Sequence, residues 1–138
     1  MHDRLLGIDY GDVRIGVAVS DALGITAQPV GTIQNSPNAI QEIIAIIQQK
    51  KVVRCIVGLP KDQHGNDSKK AHDVREFVKA LQTKIDIDVE WVDERFSTVA
   101  ATRQLHQVNL NSKKQRHVID TQSAMFILQG VLDRKGGS

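Results

Sequence analysis

The beginning of the chain has the two-residue apolar periodicity of β-strands, and this pattern restricts the fold more than any other feature. It is clearest over residues 13–19, where valine or isoleucine occupies every second position. Three strands are predicted, with short turns between them: Arg4 to Asp9, Val13 to Ser20 and about Thr26 to Ile33. Because the turns are short and contain glycine, the strands are expected to form an antiparallel meander.

Helices and strands alternate along the rest of the chain. A helix is predicted over residues 40–47, after the start signal Ser36-Pro37-Asn38, and a strand follows from Val53 to Leu59. Next come a helix after Ser68, whose apolar stripe runs from Val74 to Ile85, and a strand from about Ile87 to Val92. The last two elements are a helix from the cap Ser97 to about Val108 and a final helix from about Val118 to Leu132. The polar segments Lys61–Asp67 and Asn109–Arg116 separate these elements.

The order β-β-β-α-β-α-β-α-α predicts an α/β fold with the ribonuclease H-like arrangement. The sheet is expected to be five-stranded and mixed, with the antiparallel meander on one side, parallel strands on the other and helices on both faces. A chain of 138 residues supports one hydrophobic core, so a single domain over residues 1–138 is predicted. In such sheets, ligands bind near the carboxyl ends of the parallel strands.

Composition excludes several classes of protein and site. No apolar run approaches the length of a membrane span, and the N-terminus lacks a secretory signal pattern, so a cytoplasmic protein is expected. Cys55 is the single cysteine, which excludes an internal disulfide, and its apolar neighbours favour a buried, inert thiol. The five histidines lack the spacing of zinc ligands.

Asp9 is the first candidate for a functional residue. It follows an apolar strand and precedes Gly11, so the simplest alternative is that it opens a hairpin turn. A carboxylate inside a buried strand would instead be costly to desolvate unless it is paired or binds a cation. The position therefore favours a metal or phosphate site.

Asp93 and Glu94 form a second acidic position, at the end of the last predicted strand. Because side chains alternate along a strand, the two cannot face the same way if the strand continues that far. Glu94 is favoured as the inward residue, with Asp93 as the reserve. The alternative is a surface ion pair between Glu94 and Arg95.

Asp120 is the third acidic candidate. It shares a helix face with Ala124, Ile127 and Val131, so it is expected to face the sheet. Because Asp120 lies near the predicted start of the last helix, N-terminal capping or an interaction with the helix dipole is the alternative.

Converging carboxylates repel one another, and a hard divalent cation with oxygen ligands removes this repulsion. Mg²⁺ or Mn²⁺ is therefore predicted at Asp9, Glu94 and Asp120, with Asp93 as a further catalytic candidate. Two metal ions bridging a phosphodiester would activate a water molecule and stabilise the leaving oxygen. The predicted reaction is phosphodiester hydrolysis.

A basic stretch follows the second acidic position. From Arg95 through Ile119 the chain has five arginines or lysines and no acidic residue. Such a stretch beside carboxylates is suited to holding nucleic-acid phosphates, although a solvated basic helix face and loop would have the same composition.

Four motifs in order resemble the YqgF/RuvX family, whose Holliday-junction-resolvase-like members are assigned to processing of the 5′ end of pre-16S ribosomal RNA. They are Asp9-x-Gly11-x-x-Arg14-Ile15-Gly16-Val17-Ala18-x-Ser20-Asp21, then Gly58-Leu59-Pro60 with Gly65, then Asp93-Glu94-Arg95-Phe96-Ser97-Thr98 with Ala101, and finally Lys113-Lys114 with Asp120-x-x-Ser123-Ala124-x-x-Ile127-Leu128. Together they span nearly the whole chain.

The resemblance implies a ribonuclease H-like fold, a divalent metal, a cytoplasmic location and a role in ribosome biogenesis. It implies that the acidic positions are Asp9, the Asp93-Glu94 pair and Asp120. The phosphate-facing candidates are Arg14, Arg95, Lys113 and Lys114, and the basic stretch adds Arg116.

The chain departs from the family pattern in two places. The loop after Gly65 commonly carries a Glu-Ser pair, whereas here Asn66-Asp67-Ser68 follows. Related resolvases also have an acidic or histidine residue one helical turn after the last aspartate, where this chain has Ser123 and Ala124. Weak metal affinity or slow turnover would be the consequence.

Three functions remain open from the sequence. The leading hypothesis is a metal-dependent nuclease acting on structured RNA, or as a Holliday junction resolvase on branched DNA. The second is a non-catalytic RNA-binding or assembly module. The third is a nucleotide-phosphate-binding domain of the actin and sugar-kinase type, which the length disfavours because such folds close two domains around the nucleotide.

Overall fold

The structure, a computed structural model, describes residues 3–60, 64, 66, 68–93 and 113–136, apart from the side chains of residues 113–120 and 135–136. Its strands are β1 (Arg4–Tyr10), β2 (Arg14–Ser20), β3 (Ala27–Gln34), β4 (Val52–Leu59) and β5 (Asp88–Asp93). Its helices are α1 (Ala39–Lys50), α2 (Lys69–Lys84) and α3 (Lys113–Gly136).

The five strands form one mixed sheet in the order β3-β2-β1-β4-β5. β1 pairs with β2 and β2 with β3 in antiparallel fashion, whereas β1 pairs with β4 and β4 with β5 in parallel. The predicted meander and parallel strands are both confirmed. β1 lies in the middle of the sheet, and its residues 5–9 are buried.

Helices cover both faces of the sheet, as predicted. The first core joins alternate strand residues to α1 and α2, and includes Leu6, Ile8, Ile43, Ile47, Val74 and Leu81. The second core joins the remaining strand residues to α3, and includes Leu5, Ala18, Ile56, Ala124, Ile127 and Leu128. Successive residues of β1 therefore alternate between the two cores, as the pleat of a central strand requires.

The start of the last helix was predicted wrongly. α3 begins at Lys113 rather than about Val118, so the last part of the polar segment Asn109–Arg116 is helical. Lysine, glutamine and arginine are good helix formers, and polar composition alone does not distinguish an exposed helix turn from a loop. The helix predicted from Ser97 to Val108 lies outside the described residues.

A buried serine and a half-buried glutamine make hydrogen bonds beside the second core. The Ser20 hydroxyl accepts a hydrogen bond of 2.8 Å from the Leu5 amide at the start of β1. On α3, the Gln129 Oε1 atom accepts one from the Ala27 amide, and its Nε2 atom donates to the Ile25 carbonyl, each at 2.8 Å. The two Gln129 bonds fix α3 against the end of the sheet where β3 begins.

Cys55 lies in β4 and is fully buried in the first core. Burial raises the pKa of its thiol to about 12, so the thiol stays protonated at neutral pH. The prediction of a buried strand thiol is confirmed.

None of the described helices is long and apolar enough to cross a membrane. The cytoplasmic location and the single domain over residues 1–138 stay predictions.

We predict that Ser20→Ala lowers the free energy of unfolding by about 1–3 kcal/mol, because it leaves the Leu5 amide buried without its acceptor. Urea denaturation monitored by circular dichroism measures the change. The matched control is Ser36→Ala, since the Ser36 hydroxyl accepts its hydrogen bond from the Asn38 amide at an exposed site. Equal losses in the two variants would contradict the importance of burial at Ser20.

Candidate active site

Asp9 lies inside β1 and not in the turn that follows. It pairs with Gly16 of β2, and β1 continues through Tyr10, so the alternative that Asp9 opens the hairpin turn is wrong. Only 2% of its surface is exposed. A carboxylate so buried in a central strand requires compensating contacts, which is the property expected of a functional acid.

The side chain of Asp9 belongs to the sheet face that α3 covers. Leu5 belongs to the second core, and Gly7 lies against Ala124 and Leu128 of α3. Because side chains alternate, Asp9 shares this face with Leu5 and Gly7, whereas Leu6 and Ile8 face α1 and α2.

The backbone register brings the Asp120 turn of α3 to the level of Asp9. Gly7 lies beside Ala124, and Asp120 comes four residues before Ala124. Two residues along a strand and four along a helix both advance about 6–7 Å. Since β1 and α3 run in opposite directions at this contact, the step from Gly7 to Asp9 matches the step from Ala124 to Asp120.

The bounds of α3 also decide against a capping role for Asp120. With α3 starting at Lys113, Asp120 is two turns inside the helix rather than in its first turn. Effects of the helix dipole fall off within the first turn. The alternative of N-terminal capping or a dipole interaction is therefore wrong, and its cause is the mistaken helix start.

The register of β5 separates Asp93 from the face of Asp9. Trp91 packs on the first core and Val92 on the second. Asp93 pairs with Leu59, and the alternation of side chains places it on the face of Trp91, opposite to Asp9. Glu94 and Arg95 lie outside the described residues.

Glycines flank Asp9 on both neighbouring strands. Gly16 of β2 pairs with it directly. On β4, Val57 pairs with Ile8, so Gly58 is the next residue alongside Asp9. Neighbouring strands lie about 4.8 Å apart, so side chains at these two positions would be the nearest in the sheet to the carboxylate. Because both positions are glycine, no side chain stands beside Asp9 at the paired positions of β2 and β4.

Arg14 is the basic candidate that lies on β2, two residues before Gly16, the partner of Asp9. It is the half-buried first residue of β2 and shares the α3 face with Gly16 and Ala18. Lys113, Lys114 and Arg116 lie in the first turn of α3, although their side chains are outside the described part.

The turn between β1 and β2 is held by a residue that the sequence did not single out. The Asn35 Nδ2 atom donates a 2.7 Å hydrogen bond to the Gly11 carbonyl, and its backbone amide donates to the Val13 carbonyl at 2.9 Å. Gly11 leaves room here, since a Cβ atom would collide with the Arg14 carbonyl. Asparagine after a strand is common enough that the pattern gave no signal.

A second connection forms where β4 leaves the sheet. The Ser68 hydroxyl caps α2 by accepting from the Ala71 amide at 3.2 Å, and it donates to the Pro60 carbonyl at 2.7 Å. This one side chain joins the end of the Gly58-Leu59-Pro60 motif to the start of α2.

Within the described part of the chain, no group of three histidine, cysteine or acidic side chains forms a metal site. Of the predicted ligands, only Asp9 has a described side chain. The site residues therefore stay predictions. The geometry of β1 and α3 supports Asp9 and Asp120, whereas the register of β5 places Asp93 on the opposite face.

The family model that matches residues 3–134 is RuvX, described as Holliday junction resolvase. The chain belongs to the RuvX family. It is 44% identical over 134 residues to a Clostridioides difficile protein named "Putative pre-16S rRNA nuclease", with 96% of this chain and 95% of that protein covered. An Acetivibrio thermocellus protein of the same name is 42% identical over 137 residues, with 96% and 97% covered.

The fold is similar to that of RuvC. Thermus thermophilus RuvC in complex with a Holliday junction substrate matches with a TM-score of 0.60 and 13% identity, covering 99% of this chain and 98% of that chain. A second Thermus thermophilus RuvC structure matches with a TM-score of 0.56 and 12% identity, covering 97% and 96%. The predicted ribonuclease H-like fold and the resemblance to the family are confirmed.

We predict that Asn35→Ala lowers the free energy of unfolding by about 0.5–1.5 kcal/mol and loosens the turn after Asp9, because the Gly11 carbonyl loses its partly buried donor. Amide hydrogen exchange should accelerate over residues 10–14. The control is Gln34→Ala, which removes an exposed side chain next to Asn35. Unchanged exchange in Asn35→Ala would show that the turn does not depend on this bond.

Proposed function

We propose that this RuvX-family protein is a metal-dependent nuclease that hydrolyses phosphodiester bonds in structured RNA. The observation that carries the proposal is the burial of Asp9 in the central strand, on the face that α3 covers and at the level of Asp120. Two acidic positions at one level of the structure repel each other, and a divalent cation bound by both would offset that repulsion, so a cation-binding role explains the placement of Asp9.

The proposed ligands are Asp9, Glu94 and Asp120, and this donor set fits Mg²⁺ or Mn²⁺. All three offer carboxylate oxygens, which hard divalent cations prefer, and none offers the sulfur or imidazole ligands typical of zinc. When bound, the metal would lower the pKa of a water molecule and stabilise charge on the phosphate oxygens.

The strand register supports Glu94 over Asp93 in this set. Val92 lies on the face of Asp9, and a residue two positions further on shares that face if β5 continues. That residue is Glu94, whereas Asp93 lies on the opposite face. We therefore propose three ligands, and withdraw Asp93 from the catalytic group.

The basic residues are proposed to hold and orient the substrate. Arg14 shares the face of Asp9 near the turn between β1 and β2, where its guanidinium can bind a phosphate with two hydrogen bonds. The remaining basic residues are proposed to extend the phosphate contacts along the RNA strand that carries the scissile bond; they are Arg95, Lys113, Lys114 and Arg116. Their contribution should weaken as salt concentration rises.

The 5′ end of pre-16S ribosomal RNA is the substrate that we propose, which would place the protein in the cytoplasm. Support comes from the curated relatives, which are named for this activity and match nearly the whole chain. Branched DNA is the second candidate, favoured by the family description and by the fold shared with RuvC. A non-catalytic RNA-binding module is the outcome that would replace both.

We predict that the protein cuts an end-labelled RNA carrying the 16S precursor leader when Mg²⁺ or Mn²⁺ is present and not when metal is chelated. Asp9→Asn should lower the cleavage rate at least about 100-fold, because it removes a charged ligand at nearly unchanged volume. The assay should include a DNA four-way junction, so that the preferred polymer is measured in the same experiment.

The matched control for this assay is Asp88→Asn. It makes the same chemical change at an exposed residue at the other end of the sheet and should cut normally. Cleavage that survives Asp9→Asn would refute the proposed site. RNA binding without cutting by the wild-type protein, whatever the metal, would instead establish the non-catalytic module.

A further inference from the structure

α3 lies unusually close to β1 at Gly7. A Cβ atom at this position would lie 2.8 Å from both the Ala124 carbonyl oxygen and the Leu128 Cβ atom. Ordinary van der Waals contact begins at 3.4 Å, so the helix rests directly on the backbone of the central strand. Both close neighbours are fixed in position, because one is helix backbone and the other is the first carbon of a buried side chain.

This contact lies a short distance along the chain from each of the two acidic positions. Asp9 is two residues beyond Gly7 on β1, and Asp120 is one helical turn before Ala124 on α3. The spacing of strand and helix at Gly7 therefore sets how far apart the backbones of Asp9 and Asp120 can be. Elsewhere α3 is held by side-chain hydrogen bonds, such as those of Gln129 to Ala27 and Ile25.

Building on the nuclease function proposed above, we propose that Gly7 is a positioning residue for the metal site. Its missing side chain lets α3 approach β1 closely enough for Asp9 and Asp120 to bind the same cation. To lengthen the contacts of an added methyl group from 2.8 Å to the ordinary 3.4 Å, the helix would have to move away by about 0.6 Å. Metal–ligand distances tolerate only about 0.2 Å, so this displacement exceeds what the site can absorb.

A purely structural role is the rival explanation for this glycine. Close packing in the second core could require glycine at position 7 even if Asp9 and Asp120 did nothing. Both explanations predict a loss of stability in Gly7→Ala. They differ in metal affinity, which a structural role leaves unchanged in protein that is still folded.

The test is the affinity of the folded protein for Mn²⁺ without substrate, measured by titration calorimetry. Gly7→Ala is built in the Gly130→Ala background. Position 130 is in α3, and no atom outside the local helix backbone lies within 4 Å of a Cβ atom added there, so alanine should stabilise the helix and offset the strain. We expect Gly7→Ala to bind Mn²⁺ about 10- to 100-fold more weakly than Gly130→Ala alone.

Gly31→Ala is the control for lost stability. Gly31 has a φ of 136° and no atom within 4 Å of an added Cβ, so alanine strains the backbone of β3 without pushing on α3. This variant should lose stability and keep the Mn²⁺ affinity of the wild-type protein.

Leu128→Ile is the second variant, for the case that Gly7→Ala does not fold. It preserves side-chain volume, which cores tolerate well, but moves the branch point to the Cβ atom that faces Gly7. A smaller weakening of Mn²⁺ binding is expected in the same direction.

The outcomes separate this proposal from the function on which it rests. Suppose that Asp9→Asn abolishes Mn²⁺ binding whereas Gly7→Ala and Leu128→Ile bind Mn²⁺ as tightly as their controls. This result would overturn the role of Gly7 and would leave the proposed metal site intact. Failure of the wild-type protein to bind Mn²⁺ would overturn both proposals. Weakened binding in Gly7→Ala, with normal binding in Gly31→Ala, would establish the positioning role.

Discussion

The burial of β1 on both faces is the constraint on which the rest of the structure depends. This strand pairs with β2 on one side and with β4 on the other, and its alternate residues enter two different cores. Any polar group placed within it must therefore be compensated by the surrounding protein or by a bound ion. Asp9 occupies such a place, at the end of the strand nearest to the turn.

The two faces of the sheet contribute differently to stability and to the positioning of functional side chains. α1 and α2 cover a larger core built mainly from isoleucine, valine and leucine, which is where most of the hydrophobic stabilisation lies. The α3 face has a smaller core and more glycine, alanine and buried serine beside the strands. Small residues let a helix lie close to a sheet. They make the α3 face suited to holding side chains of the helix and the sheet at fixed distances from each other, rather than to burying the largest apolar area.

The sequence predicted the antiparallel meander, the parallel strands and the helices on both faces, because each rests on a strong local pattern. Alternation at residues 13–19, the apolar run of β4 and the helical spacing of the isoleucines at 40–47 all specify one element type. The start of α3 could not be predicted in this way, since Lys113 to Arg116 suit an exposed helix as well as a loop. That error produced the mistaken capping alternative for Asp120.

Contacts between distant parts of the chain were the least predictable. Nothing local indicates that Asn35 holds the turn after Asp9, or that Gln129 reaches the start of β3. Assigning Asp93 to the face opposite to Asp9 needed the pairing of β5 with β4, because alternation fixes only that neighbouring residues face opposite ways. Gly7 did carry a signal, since glycine inside an apolar strand often marks a close backbone approach.

The proposed nuclease function depends most on whether Asp9 binds a metal ion. The direct measurement is a crystal structure of the wild-type protein grown with Mn²⁺, with anomalous diffraction used to locate the ion. We expect an anomalous peak about 2.0–2.3 Å from an Asp9 carboxylate oxygen, with Glu94 and Asp120 completing the protein ligands. Full-occupancy Mn²⁺ elsewhere, with Asp9 making only contacts to protein, would contradict the account.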